Sequence, residues 1–250
     1  MCRHLCYLGP PAPLAAWLFD PPYSLSRQSW APRDMRGGGT INADGFGVGW
    51  FPEPAGAPVR YRRATPLWSD TTLPELARAT RSGAVLAAVR SATTTMPVVE
   101  TAAAPFADDG WLFSHNGVVR GWPDSVLALA AELPTRDLVT LPAPTDSALL
   151  WALVRHRLRS GAPPAAAAAD TVRAVLRAAP GSRLNLLLTD GRTAVATVAD
   201  HALSVRADGR SVLIASEPLD DDPAWKPVPD NHLLIATTDG LRVEPMGAHA

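Results

Sequence analysis

The residue whose chemistry the sequence makes most explicit is the cysteine at position 2. Removal of Met1, expected when the next residue is small, would leave the Cys2 thiol and a free α-amino group on one carbon. Reference pKa values are about 7.7–8.0 for the amine and about 8.5 for the thiol, so the amine can relay the thiol's proton without a histidine. One residue then supplies nucleophile and base; the bland alternative is a small apolar residue at a frayed terminus. In His115-Asn116-Gly117, an Asn amide and the backbone N–H of the following Gly are two donors able to converge on one oxygen, as an oxyanion hole for acyl transfer requires. Asn-Gly is equally the commonest hairpin turn. Arg90, in Val89-Arg90-Ser91-Ala92-Thr93, offers a fork for a carboxylate, and Asp146, in Thr145-Asp146-Ser147, a counter-charge for an ammonium. Together they fit an amino-acid head group; taken singly, they are a surface arginine and a carboxylate compensating a helix dipole.

These residues stand at the ends of short apolar runs. Val85 to Val89 leads into Arg90, and Trp111-Leu112-Phe113-Ser114 leads into His115, so each follows an expected strand. Asn42 to Trp50 contains GxGxW rather than GxGxxG, with no helix after it and Pro52 interrupting. It reads as a strand packed closely against another backbone, not as a nucleotide loop. Further runs cover Leu184 to Thr189, Thr193 to Ala199, Ala202 to Arg206, Val212 to Ser216 and Leu233 to Thr237, and the Asp190-Gly191 and Asp208-Gly209 pairs predict an antiparallel meander. Helical patterns span Leu73 to Arg81 before Gly83, Asp124 to Glu132 before Pro134, Asp146 to Arg159 before Gly161, and Ala165 to Ala178 before Pro180-Gly181. In the third, Leu149, Leu150, Leu153, Val154 and Leu158 share one face. Helices in the middle with antiparallel strands before and after predict an α+β layered fold, not a doubly wound parallel sheet. The Pro- and Gly-rich stretches are short, so residues 1–250 read as one domain.

Composition narrows the partners. With 23 basic and 24 acidic residues the net charge is -1, which gives no field for nucleic acid or a membrane surface and points to a small molecule. Neither a leader nor a spanning segment is evident, which implies a cytoplasmic location. Two cysteines four positions apart make no disulfide framework, and no CxxC spacing or His/Cys cluster suggests a metal.

Taken in order, Met1-Cys2, the Asn42 to Trp50 segment, Arg90 followed by Ala92-Thr93, His115-Asn116-Gly117 and an Asp opening a helix resemble the class II (N-terminal nucleophile) glutamine amidotransferase domain over residues 1 to about 150. The resemblance implies a four-layer αββα sandwich with two facing antiparallel sheets. It also implies Cys2 as nucleophile and base, Asn116 and Gly117 as oxyanion hole, Arg90 on the α-carboxylate and Asp146 on the α-ammonium of a γ-glutamyl substrate, with Thr93 and His115 as further substrate contacts. Ser91 departs from the aromatic residue common in the larger synthases.

Met1-Cys2-Arg3-His4-Leu5, Asp20-Pro21-Pro22, Ala31-Pro32-Arg33, Pro66-Leu67-Trp68, Arg183-Leu184-Asn185 and Ala215-Ser216-Glu217-Pro218 are similar to one branch, the amidohydrolases of ergothioneine biosynthesis. That branch implies hydrolysis of γ-glutamyl-hercynylcysteine sulfoxide to glutamate and hercynylcysteine sulfoxide through a thioester, with no cofactor and no metal. All 250 residues are taken up by one such domain, leaving none for a synthase domain. Trp30, Trp50, Phe51 and Trp68 are the aromatic faces that could hold the substrate's trimethylammonium. Two other readings stay open: a glutaminase subunit supplying ammonia to a separate synthase, and a non-catalytic amino-acid-binding module if Met1 is retained. The sequence does not indicate an oligomeric state.

Overall fold

A period of two governs the first strand. In β1 (Arg3–Pro13), Cys6 and Leu8 fall on one face and Leu5 and Tyr7 on the other, and each face enters a different apolar cluster. The computed structural model describes residues 2–34, 41–52 and 56–247, so Met1, on which the nucleophile reading turns, lies outside the described residues. Strand β1 pairs antiparallel with β4 (Arg81–Val89) on one side and β10 (Val212–Ala215) on the other. Strands β2 (Phe46–Trp50) and β3 (Val59–Arg63) extend the sheet beyond β4, and β9 (Ser204–Ala207) and β11 (Lys226–Pro227) beyond β10. The second antiparallel sheet has the order β13 (Gly240–Pro245), β12 (His232–Thr237), β8 (Ala194–Val198), β7 (Arg183–Thr189), β6 (Trp111–Val118), β5 (Phe106–Asp108).

Three buried clusters define four layers among the described residues. Leu5, Tyr7, Val85, Ala87 and Val89 pack under α1 (Ala15–Leu18), α2 (Leu25–Gln28) and α3 (Leu73–Ala79). Cys6, Leu8, Leu86, Leu112, Leu187 and Ala196 fill the space between the sheets. Phe113, Leu186 and Leu188 pack under α6 (Asp146–Arg159) and α7 (Pro164–Ala178), beside the shorter α4 (Leu127–Ala131) and α5 (Thr135–Val139). The expected α+β sandwich of two facing antiparallel sheets is the observed one. Helix α6 has the expected bounds because its local signals agree: the Thr145 hydroxyl caps the Ala148 N–H at 3.2 Å, Asp146 sits in the first turn, and three basic residues sit in the last.

Several boundaries differ from expectation. Helix α3 stops at Ala79 and Gly83 lies inside β4, because pairing with β1 extends the strand back to Arg81. The expected meander is two hairpins in different sheets: β7–β8 turns at Asp190-Gly191 in one, β9–β10 at Asp208-Gly209 in the other. His115-Asn116-Gly117 is not a turn but the interior of β6, paired with Leu186, Asn185 and Leu184. Strand β2 packs closely against another backbone as expected, since a side chain at Gly47 would run into the Ala104 carbonyl.

Candidate active site

Cys2 immediately precedes β1 and, by alternation, shares the inner face with His4. Its thiol, half-buried, lies 3.7 Å from the Ser91 carbonyl. Its backbone carbonyl accepts a bond from Arg3 Nη1 at 3.2 Å. Arg3 is itself buried and gives Nη2 to the Asp34 carbonyl, while the Glu217 carboxylate receives the Arg33 and Asp34 N–H groups at 2.7–3.1 Å. Burial pulls the Arg3 pKa down, and Glu217 and Asp34 oppose that pull. A buried cation therefore holds the peptide of Cys2 in place.

Cys2 opens onto a small recess with Ala88, Arg90, Phe106, Ser114 and His115 among its walls. Arg90 follows β4 on the same face as Leu86 and Ala88, and its Nη1 donates to the Pro97 carbonyl at 2.9 Å and to the Asp44 carbonyl at 3.4 Å. The Asn42-Ala43-Asp44-Gly45 segment completes this corner: Arg90 N donates to Gly45 O at 2.8 Å, Asp44 N to Arg90 O at 2.9 Å, and the Asp44 carboxylate accepts Ala92 N at 2.8 Å. Thr93 lies beyond, exposed, its carbonyl accepting the Met96 N–H.

Alternation along β6 separates His115 from its neighbours. Leu112 packs between the sheets and Phe113 under the helices, so Ser114 and Asn116 face the first sheet, and His115 faces α6. His115 Nδ1 lies 3.0 Å from Ser147 Oγ and Nε2 donates to the Arg183 carbonyl at 3.0 Å. Asn116, fully buried, donates from Nδ2 to Ser216 Oγ at 3.1 Å. Gly117 is required where it stands, because a Cβ would fall on the Arg183 carbonyl oxygen. Leu184, its β7 partner, donates its N–H to the carbonyl of Ala199, just past β8, so Gly117 turns its own N–H away from β7. The neighbouring strand β5 ends its pairing at Phe106–Phe113, four residues short of Gly117. That N–H is aimed at the side of β6 where Ala102, Ala104 and Phe106 wall the recess.

Asp146 is buried outside the recess lining: Oδ2 accepts Val119 N at 3.0 Å and Oδ1 accepts Ser147 N at 2.7 Å, which fastens the start of α6 to the end of β6. Trp50 and Phe51 are buried, Phe51 at the opposite end of the sandwich. Trp30 and Trp68 are exposed, with the Arg27 guanidinium stacked 3.8 Å from the Trp30 ring centroid.

Burial sets the electrostatics behind Cys2. Complete burial, then the nearby His201, His115 and Arg3, bring His4 down to about 3, so its imidazole is neutral at physiological pH; Nδ1 lies 3.2 Å from Ser114 Oγ. Burial pushes the Cys6 thiol up to about 12, which leaves it without thiolate character. Among the described residues no group of three His, Cys, Asp or Glu side chains gathers as a metal site, and no helix is long and apolar enough to cross a membrane. Arg3, His4, Asp44, Ser216 and Glu217 received no role from the sequence, although the segments carrying them stood out in it.

The family model described as glutamine amidotransferases class-II matches residues 16–208, a span that includes Arg90, His115 to Gly117 and Asp146. The chain is 43% identical over 244 residues to a protein of Mycobacterium tuberculosis (strain CDC 1551 / Oshkosh) named gamma-glutamyl-hercynylcysteine sulfoxide hydrolase, covering 96% of this chain and 95% of that one. It is 43% identical over 249 residues to the protein of the same name in Mycolicibacterium smegmatis, covering 98% and 100%. A solved class II glutamine aminotransferase domain protein from Silicibacter pomeroyi superposes with a TM-score of 0.70 at 24% identity, over 99% of this chain and 100% of that one, a likeness of fold.

Proposed function

The chain belongs to the class II glutamine amidotransferase family, and from that premise we propose that it is a single-domain cysteine amidohydrolase removing glutamate from γ-glutamyl-hercynylcysteine sulfoxide. The observation that carries this reading is the meeting of Cys2, Arg90 and the end of β6 in one recess, in a chain 43% identical over nearly its whole length to hydrolases named for that substrate.

With Met1 removed, the Cys2 α-amine takes the thiol proton as Sγ attacks the γ-amide carbon. The oxyanion forms against Asn116 Nδ2 and the Gly117 N–H, donors fixed before substrate arrives. As the carbon–nitrogen bond breaks, the protonated amine gives its proton to the leaving nitrogen, and a γ-glutamyl thioester remains on Cys2. Water, activated by the same amine, attacks the thioester, releasing glutamate and regenerating the thiol. Arg90 bonds the described residues through Nη1 alone, so Nη2 and Nε serve the substrate's α-carboxylate. Asp146, buried behind the His115 and Ser147 wall of the recess with Oδ2 accepting one backbone N–H, is assigned the α-ammonium, and His115 and Thr93, the latter exposed beyond Arg90, are assigned further substrate contacts. Every step uses the chain's own groups, and the enzyme works in the cytoplasm without a synthase.

The test is turnover by the mature protein, whose intact mass should lack Met1. Glutamate release from γ-glutamyl-hercynylcysteine sulfoxide is expected to exceed that from free glutamine by at least about 10²-fold in kcat/KM, and Cys2→Ala to bind substrate but release none. Faster hydrolysis of glutamine would favour an ammonia-supplying subunit, and undiminished turnover by Cys2→Ala would rule out the mechanism.

A further inference from the structure

We propose that Ser216 is a positioning residue of the oxyanion hole, one that fixes which end of the Asn116 amide faces the reacting carbonyl; the inference rests on the role proposed for Asn116. A hydroxyl has one hydrogen to give and two lone pairs to receive bonds. Ser216 Oγ uses all three. Its hydrogen goes to the His4 carbonyl at 3.3 Å, and its lone pairs receive the His4 N–H at 3.0 Å and Asn116 Nδ2 at 3.1 Å. The Ser216 N–H also reaches the His4 carbonyl, at 2.9 Å, so the serine is clamped to β1 from both its backbone and its side chain.

The consequence follows from that accounting. With its hydrogen committed to His4, Ser216 Oγ can only accept, so the end of the Asn116 amide that meets it must be the NH2. Turning the amide over would set Asn116 Oδ1 against an oxygen with no hydrogen to share. The orientation is held against a cost, since Oδ1 is fully buried and has no partner among the described residues. One hydrogen of the NH2 is taken by Ser216, and the other is left for an oxyanion. Ser216 thus joins the two sheets at the point of reaction: Oγ makes two bonds to His4, in the strand that follows Cys2, and one to Asn116 in the facing sheet.

A purely structural role, pinning β10 to β1, makes a different prediction. The experiment is a cycle of wild type, Ser216→Ala, Asn116→Ala and the double variant, with kcat and KM measured for γ-glutamyl-hercynylcysteine sulfoxide and Tm for each protein. If Ser216 acts through Asn116, S216A lowers kcat about 10- to 100-fold, below the 10²–10³-fold loss of an oxyanion donor itself, and leaves KM within about threefold. In the N116A background the same change then costs less than about twofold, because there is no amide left to orient. Equal losses in both backgrounds, or a wild-type kcat for S216A, would overturn the inference. A wild-type kcat for N116A would overturn the role of Asn116 itself, and this one with it. If S216A does not fold, Ser216→Cys, with its weak S–H group, replaces it in the cycle and is expected to show a smaller loss with the same dependence on Asn116.

Discussion

The two ends of the sheet sandwich are built from the same strands and could hardly differ more. At one end Gly9, Pro11, Phe51, Gly83, Arg192 and Thr238 border a groove of about 490 Å³. At the other, Cys2, Arg90 and Ser114 border a recess of about 20 Å³, roughly the space of one water. Yet two of the polar side chains bordering the large groove are bonded to backbone: Ser82 Oγ to the Phe51 carbonyl and Arg81 to the Pro11 carbonyl. Behind the small recess, His4, whose Nδ1 lies 3.2 Å from Ser114 Oγ, and Asn116, next to His115 in β6, keep Nε2 and Oδ1 buried without a partner among the described residues. Volume records where the surface folds inward; it does not record where buried polar groups await a partner. The proposed reaction belongs to the smaller cavity.

The strongest way to break this contrast is at Gly117. A methyl group there meets the Arg183 carbonyl, which itself accepts His115 Nε2, so neither β6 nor β7 can yield without losing that bond. Gly117→Ala is expected to lower unfolding stability by at least about 3 kcal/mol, read from urea denaturation, and to abolish turnover. A variant as stable as wild type would mean that the two strands approach less closely than the pairing of Gly117 with Leu184 requires.

How far these two ends were legible in the sequence depends on the range of the interactions. Helix α6 was read to the residue because cap, periodicity and terminal charges all lie within it. The run into His115-Asn116-Gly117 reads as a strand, and β6 is one, but the Asn-Gly pair signals a turn as strongly. Pairing with Asn185 and Leu184, almost seventy residues on, overrides that local signal. Strand β1 was not read at all, since Arg3 and His4 are buried polar residues at its start and Gly9 to Pro11 and Pro13 interrupt its end. Ser216 and Glu217 were visible as part of a resembling segment, without a role. Their partners, His4 and Asn116 for one, Arg33 and Asp34 for the other, are a hundred residues or more away, and no spacing encodes that. The far groove left no trace in the sequence, because glycines, prolines and a turn suffice to make it.

A second, smaller effect sharpens the contrast through pH. An unfolded chain protonates its histidine near 6.5, whereas buried His4 resists protonation until about 3. Below pH 6.5 the unfolded state therefore binds the extra proton, and folding stability falls as pH falls, down to about 3; above 6.5 His4 adds no pH dependence. His201, His115 and Arg3 all face it as positive or protonatable groups and act in the same direction. From pH 6 to 4.5 the share due to His4 is about 2 kcal/mol, at 1.36 kcal/mol per unit for one proton. His4→Asn is expected to be less stable at pH 7.5, because it loses packing and weakens the contact with Ser114, but to decline less steeply between pH 6 and 4.5 in calorimetric scans. Parallel declines for the two proteins would mean that His4 is not the group resisting protonation.

The smallest effect belongs to the far end, and it tests the contrast most directly. Arg192 stands exposed on the β7–β8 turn, its side chain at the rim of the large groove. A groove of that size could take the bulky leaving group of a γ-glutamyl substrate, and a guanidinium at its rim would then be felt in KM. But β1, which starts just after Cys2 at one end of the sandwich, reaches Gly9 and Pro11 at the other at about 3.3 Å per residue, which puts the groove about 20 Å from the thiol. A γ-glutamyl compound attached at Cys2 cannot span that distance through a core filled by Cys6, Leu8, Leu86 and Leu187. Arg192→Ala is therefore expected to change kcat/KM by less than about twofold, or about 0.4 kcal/mol. A tenfold rise in KM would join the two ends of the molecule in one function and dissolve the distinction between them.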